Sequence, residues 1–261
     1  MNIFQVILLA LIEGVTEFLP ISSTGHMVIA SSLMGIEQDS FVKNFTVIIQ
    51  LGAILAVVVL YYKRFLKNTE FYVKLFIAFL PGIIVGFLIK DAVDKLLESP
   101  LVVAINLLLG GIFLLFIDKI FSKNIVMGKE EPTRKESFFI GLFQIIAISL
   151  PGVSRSAATI VGGLTQKLNM RAAAEFSFFL AVPTMLAATG YKLLKMLKSG
   201  DSNLSEHLIT LGLGSFIAFI VALAAMKFLV NFLVKYGFRW FGIYRIVLAL
   251  AIIILITFHK I

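Results

Sequence analysis

The 261-residue chain contains no cysteine, which excludes a disulfide framework, a thiolate nucleophile and a cysteine-ligated metal centre. Charge is also scarce: 15% of residues are Asp, Glu, Lys or Arg, against 59% with hydrophobic side chains. With a mean hydropathy of +1.01, that mixture belongs in a bilayer rather than around a soluble core. The formal charge of +8 raises the question of nucleic acid, but no Lys/Arg block is long and no aromatics interleave with basic residues. Basic residues that anchor at anionic membrane lipids explain the charge, so no nucleic-acid partner is expected. The first apolar stretch lacks a basic leader and a small-residue cleavage site, and Glu13 and Glu17 interrupt it. It is therefore read as a permanent segment rather than a removable signal peptide. Gly82, Gly86, Gly110, Gly111, Gly212 and Gly214 form no phosphate-binding loop and are expected to be close-packing positions between helices.

What is present is long apolar runs. Six of them, about 44–62, 71–89, 100–117, 173–190, 208–230 and 240–258, match the length that crosses a ~30 Å hydrocarbon core. Two further segments are apolar but broken. Residues 3–34 contain Pro20, the run Ser22-Ser23-Thr24-Gly25-His26 and Gly35, and residues 137–165 contain Pro151-Gly152 and Ser154-Arg155-Ser156. Such residues stop and restart helices and leave backbone groups free, which is tolerated at membrane depth only against protein or a wet cavity. Both segments are therefore predicted to be re-entrant helical hairpins.

A shift of 131 residues places Pro20 on Pro151, Ser23 on Ser154, Leu11 on Leu142, Phe45 on Phe176 and Ala56 on Ala187, with Glu13 on Gln144. A hairpin followed by three spans then occurs twice. An odd number of spans inverts the second copy, so the prediction is an all-α, polytopic, single membrane domain (1–261) made of inverted repeats, approximately 1–118 and 132–261. One face carries fourteen basic residues: Lys63, Arg64, Lys67, Lys74, Lys119, Lys123, Lys129, Arg134, Lys135, Lys167, Arg171, Lys227, Lys235 and Arg239. The face with the N-terminus carries seven, Lys43, Lys90, Lys95, Lys192, Lys195, Lys198 and Lys260. This bias places both termini outside the cytoplasm and the polar loop Lys119–Ser137 inside.

Polar residues in the broken segments carry the chemistry. Glu13 and Glu17, four apart, share one helix face beside the break at Pro20. Each charge costs about 3 kcal/mol at membrane depth, so the pair makes sense if it holds a divalent cation, shares a proton or acts as acid and base. Ser23 or His26 can attack phosphorus while the other handles the proton and Glu17 orients the ring. Ser22 and Thr24 are helix caps or cavity-lining groups. Arg155, with free N–H groups at a helix start and the hydroxyls of Ser154, Ser156 and Thr159, suits an anion with several oxygens. The alternative is that Arg155 is instead a structural counter-ion to Glu13 or Glu17, which still places the two broken segments in contact. Gln50 either lines the cavity or makes an interhelical bond. Asp118 and Glu175 are expected at interfaces, and Arg245, inside the last apolar run, either snorkels or pairs with a headgroup or an acid.

The stretch Glu13-Gly14-Val15-Thr16-Glu17-Phe18-Leu19-Pro20-Ile21-Ser22-Ser23-Thr24-Gly25-His26, together with Pro151-Gly152-Val153-Ser154-Arg155-Ser156-Ala157-Ala158-Thr159, resembles the two signatures of bacterial undecaprenyl-diphosphate phosphatases of the bacitracin-resistance family. Phe45–Val58, with Gln50-Leu51-Gly52, resembles the segment after the first signature, and the resemblance spans nearly the whole chain. It implies a multi-pass protein of the bacterial inner membrane that hydrolyses undecaprenyl diphosphate on the outer side, returning the lipid carrier to cell-wall synthesis. It further implies a divalent cation (Mg2+ or Ca2+) associated with Glu13 and Glu17, a diphosphate gripped by Arg155, and Ser154, Ser156 and Thr159 lining the phosphate site. Ser23 and His26 both match positions advanced as the nucleophile, and Ser23 is preferred. The expected partners are a polyprenyl diphosphate and membrane lipids, with a homodimer left open. The rival reading is a transporter or lipid flippase, because broken helices in inverted repeats are the usual apparatus of alternating access.

Overall fold

The computed structural model describes residues 1–66, 69–97, 99–198 and 203–258; Lys67 and Lys260 of the charge pattern lie outside them. The described residues are overwhelmingly helical, and their one extended pairing is an isolated bridge between Lys129 and Leu168. In chain order the helices are α1 (Ile3–Thr16), α2 (Ser23–Leu33), α3 (Ser40–Ile48), α4 (Gln50–Leu60), α5 (Tyr62–Phe65), α6 (Thr69–Leu97) and α7 (Pro100–Ile120). They continue with α8 (Ser122–Met127), α9 (Arg134–Ser149), α10 (Arg155–Thr165), α11 (Met170–Lys198), α12 (Leu204–Tyr236) and α13 (Arg239–Thr257).

Among the described residues six helical stretches are long and apolar enough to cross a membrane: Ser40–Leu60, Thr69–Val93, Pro100–Ile120, Met170–Lys198, Leu204–Tyr236 and Arg239–Thr257. Each overlaps one predicted span. Their starts follow local chemistry. Ser99 caps α7 ahead of Pro100, whose missing N–H costs nothing in a first turn. Thr133 and Glu136 close a reciprocal capping box at α9. Asp118, expected only at an interface, accepts the N–H groups of Phe238 and Arg239 at 2.9 and 3.1 Å and so caps α13.

Packing joins the two halves of the chain: α1 lies on α12, α9 on α6, and α7 on α13. Close approach explains two glycines, since a Cβ at Gly14 would meet Ala218 O at 2.7 Å and one at Gly141 would meet Ala78 O at 2.2 Å. The glycine expectation fails at Gly212, which has nothing within 4 Å, and Gly86 has only ordinary contact. The polar loop Lys119–Ser137 is partly helical: α8 lies within it and α9 begins at Arg134. Exposed ion pairs join this loop to α5 and α6, with Arg64 at 2.9 Å from Glu131 and Arg134 at 2.6 Å from Glu70.

Helices α1 and α2 are separated by a non-helical break, as are α9 and α10, and the two breaks share one backbone device. Ser22 (φ 69, ψ 96) and Ser154 (φ 76, ψ 112) cap the following helices from the left-handed region. Each Oγ accepts an N–H three residues on, Gly25 and Ala157, at 3.3 Å. A non-glycine residue held there costs about 1–3 kcal/mol and persists only where its surroundings dictate it. By conformation the counterpart of Ser154 is Ser22, not Ser23 as the 131-residue register has it; the second break has one more residue between its proline and its cap.

Candidate active site

The breaks meet. Ser156 Oγ donates to Leu19 O at 2.8 Å, so the first turn of α10 is tied directly to the first break. Residues predicted from two distant segments converge there. Glu17 Oε2 accepts the Ser23 hydroxyl at 2.5 Å, and Glu17 Oε1 pairs with Arg155 Nη2 at 3.2 Å. Arg155 Nη1 donates to Ser177 O at 3.1 Å, its guanidinium lies 6.0 Å from the Phe18 ring centroid, and its buried Nε has no partner among the described residues. The second carboxylate, Glu13, is completely buried, and among the described residues neither of its oxygens receives a hydrogen bond.

A cleft of about 380 Å³ reaches this cluster. Glu13, Ser23, Thr24 and Gln50 line its polar end, Met27, Val42 and Leu97 contribute apolar wall, and Glu37, Lys43 and Lys192 also line it. Thr24 and Gln50, two of the three residues named as cavity-lining, are among those that line it. Ser22 does not line it; it is buried as the cap of α2.

The expected proton path from Ser23 to His26 is absent among the described hydrogen bonds, because Ser23 gives its proton to Glu17. His26 turns the other way: Nδ1 lies 2.7 Å from Ser22 O and Nε2 lies 2.7 Å from the Tyr244 hydroxyl, with the two rings nearly parallel. A carbonyl can only accept, so Nδ1 carries a proton; in the neutral ring Nε2 then accepts the tyrosine O–H, and in the imidazolium it donates to the tyrosine oxygen. The remaining hydroxyls are engaged inside the protein. Ser154 Oγ caps α10 and lies 3.2 Å from Ser156 Oγ, while Thr159 Oγ1 bonds Arg155 O at 2.9 Å and Ser177 Oγ at 2.6 Å.

Two carboxylates on one helix face, one of them buried with both oxygens unpartnered, fit a hard divalent cation, which takes oxygen ligands. Among the described residues no group of three or more His, Asp or Glu could hold such an ion. An ion there would take at most these two carboxylates from the protein and would need water or substrate oxygens to complete its shell.

Residues 6–251 match the family model described as "Bacitracin resistance protein BacA". The chain belongs to this family. It is 54% identical to a protein named undecaprenyl-diphosphatase in Porphyromonas gingivalis, over 98% of this chain and 97% of that protein. A protein of the same name in Bdellovibrio bacteriovorus is 55% identical over the same shares, and one in Aquifex aeolicus is 46% identical over 96% and 97%.

Membership spans both breaks, yet several residues that build the site carry no motif signal. Asn106 Nδ2 donates to Pro151 O at 2.8 Å, and Ser177 presents its carbonyl to Arg155. Arg245 does not snorkel: it is fully buried, and among the described residues it meets no acid and bonds only backbone carbonyls. The only sequence clue was a charge inside an apolar span, and hydropathy says nothing about what such a charge faces.

Proposed function

We propose that the chain is an undecaprenyl-diphosphate phosphatase that releases inorganic phosphate at the outer side of the bacterial inner membrane and returns the lipid monophosphate to cell-wall synthesis. The observation that carries this reading is the short Ser23–Glu17–Arg155 chain: a hydroxyl, its proton acceptor and a diphosphate-binding fork within one hydrogen-bonded unit. The names of the 46–55% identical relatives supply the substrate.

Arg155 moves its donors from Glu17 to the terminal phosphate, with the unpartnered Nε available to the same anion. Loss of that pair leaves Glu17 free to take the Ser23 proton as Oγ attacks phosphorus. The new Oγ–P bond forms as the P–O bond to the lipid monophosphate breaks. Water then attacks the phosphoserine, phosphate leaves and Ser23 regains a proton. Catalysis here is chiefly positioning and charge stabilisation. Glu13 and Glu17 would hold a divalent cation, Mg2+ or Ca2+, and such an ion would supply positive charge against the diphosphate. His26, through Ser22 O, holds the start of α2. Attack by His26 itself requires Nε2 to leave Tyr244. The hydroxyls of Ser154, Ser156 and Thr159 organise the first turn of α10 that presents Arg155, and the prenyl tail lies in membrane lipid.

The same reading includes two re-entrant hairpins, α1–α2 and α9–α10, in an inverted repeat. Support comes from the matching caps at Ser22 and Ser154 and from the exchanged packing of α1 on α12 and α9 on α6. Glu37, Lys43 and Lys192 also line the cleft, and they belong to the basic-poor face of the N-terminus, which supports an outward-facing site.

The test is phosphate release by purified, detergent-solubilised protein from a long-chain prenyl diphosphate, with and without chelator. Release that stops with chelator and returns with added cation is expected. No release by folded protein with cation present would defeat the reading.

A further inference from the structure

Arg245, on α13, is the largest fully buried side chain. A guanidinium has five N–H donors and no acceptor. Each donor here faces a backbone carbonyl: Nε faces Leu107 O at 3.4 Å, Nη1 faces Val153 O at 2.7 Å and Pro20 O at 3.5 Å, and Nη2 faces Gly152 O at 3.0 Å and Asn106 O at 3.2 Å. Among the described residues no carboxylate is one of its partners. A cation without an acid is costly at membrane depth, so its position needs a reason. The carbonyls supply one. Pro20 belongs to the first break and Gly152 and Val153 to the second, where the backbone makes no regular helical bonds and water cannot make them in a bilayer.

The geometry is more specific than general satisfaction. Pro20 lies midway between Glu17 and Ser23, and Val153 lies two residues before Arg155. One planar group therefore bonds the backbone just beside both parts of the reacting cluster and ties both to α7. We propose that Arg245 is a positioning residue that holds the two breaks at the separation at which Ser23, Glu17 and the diphosphate-gripping Arg155 meet. The assignment rests on the phosphatase reading above. A planar fork suits the task and an ammonium does not: lysine keeps the charge but has three donors at a single point, and cannot bridge carbonyls from three segments.

Gly110 provides a second way to disturb the clamp without touching Arg245 or the cluster. A Cβ there would lie 2.2 Å from Nη2 and 2.8 Å from Cζ of Arg245, its nearest neighbours. Alanine is also the better helix former, by about 1 kcal/mol, so a loss of activity in Gly110→Ala would not come from a weakened helix.

The experiment compares wild type, Arg245→Lys and Gly110→Ala as purified full-length proteins, measuring phosphate release from a long-chain prenyl diphosphate together with thermal unfolding in detergent. Misplacing reacting groups by about an ångström costs on the order of 100-fold, so kcat is expected to fall ~10–100-fold in both variants. KM is expected to stay within about threefold, because Arg155 still grips substrate. An activity-independent readout uses the absence of native cysteine: spin labels on cysteines introduced at the exposed positions Val15 and Leu150 should give a narrow distance distribution in the wild type and a broadened one in both variants. If Arg245→Lys does not fold, Gly110→Ala carries the test alone. Folded Gly110→Ala with wild-type kcat and an unchanged distance distribution would overturn the proposal. A wild type that releases no phosphate would instead defeat the phosphatase reading, and the distance measurement would still decide whether Arg245 fixes the breaks.

Discussion

The two breaks are alike in backbone and unlike in the residue set one helix before them. Each has a serine cap in the left-handed region, and each hands its carbonyls to side chains from elsewhere. Glu13 precedes the first and Gln144 the second, and both are completely buried. Gln144 accepts the Thr184 hydroxyl at 3.1 Å and leaves only its Nε2 without a partner among the described residues, whereas neither Glu13 oxygen receives a hydrogen bond there. A neutral amide is a tolerable thing to bury; an unpartnered carboxylate is not, unless it receives a cation or a proton during function. The shared backbone is thus a scaffold, and the acid distinguishes the break to which the chemistry is assigned in the proposal above.

The most damaging way to probe the difference is to remove the attacking atom. Ser23→Ala should lower turnover by at least ~10³-fold while binding of a prenyl diphosphate, measured separately, persists. Near-normal turnover would remove Ser23 from the chemistry. Next, Glu13→Gln makes the first break resemble the second. Turnover should fall on the order of 100-fold and the response to added divalent cation should flatten. Its unfolding temperature should be unchanged or higher, since a charge costing about 3 kcal/mol to insert is gone. A full cation response in the variant would place the ion elsewhere. The reciprocal Gln144→Glu should destabilise the fold without adding activity.

Smaller effects sharpen the second break. Arg155→Lys retains charge but loses the planar fork, and kcat/KM should drop ~10–100-fold in a folded protein. Unchanged kinetics would exclude Arg155 from diphosphate binding. At the far end, Asp118→Ala removes only the cap of α13 and should cost about 1 kcal/mol of stability with kcat unaltered. A strong kinetic effect would mean that the start of α13 is coupled to the site more tightly than capping allows.

How much of this was readable in the sequence follows from where the information sits. The six spans were legible because burial in lipid imposes a run length, and the breaks because Pro20, Ser22, Pro151 and Ser154 are residues that interrupt helices. Glu13, Glu17 and Arg155 stood out because charge at depth demands a partner. Spacing did not reveal which partner. His26 follows Ser23 by three residues, yet it bonds Tyr244, far along the chain. Arg245 and Asn106 act on carbonyl oxygens, which every residue has, so no side-chain pattern announces their targets. The close-packing role assigned to Gly212 failed because composition cannot tell a helix face that meets a neighbour from one that meets lipid.

The central claim is that Ser23, with its proton held by Glu17, attacks phosphorus within reach of Arg155. Rapid-quench labelling with substrate carrying a radioactive terminal phosphate tests it most directly. The expected result is label on Ser23 as an acid-stable phosphoserine, absent in Ser23→Ala. Label on His26, labile to acid and stable to base, together with near-normal turnover in Ser23→Ala, would contradict it.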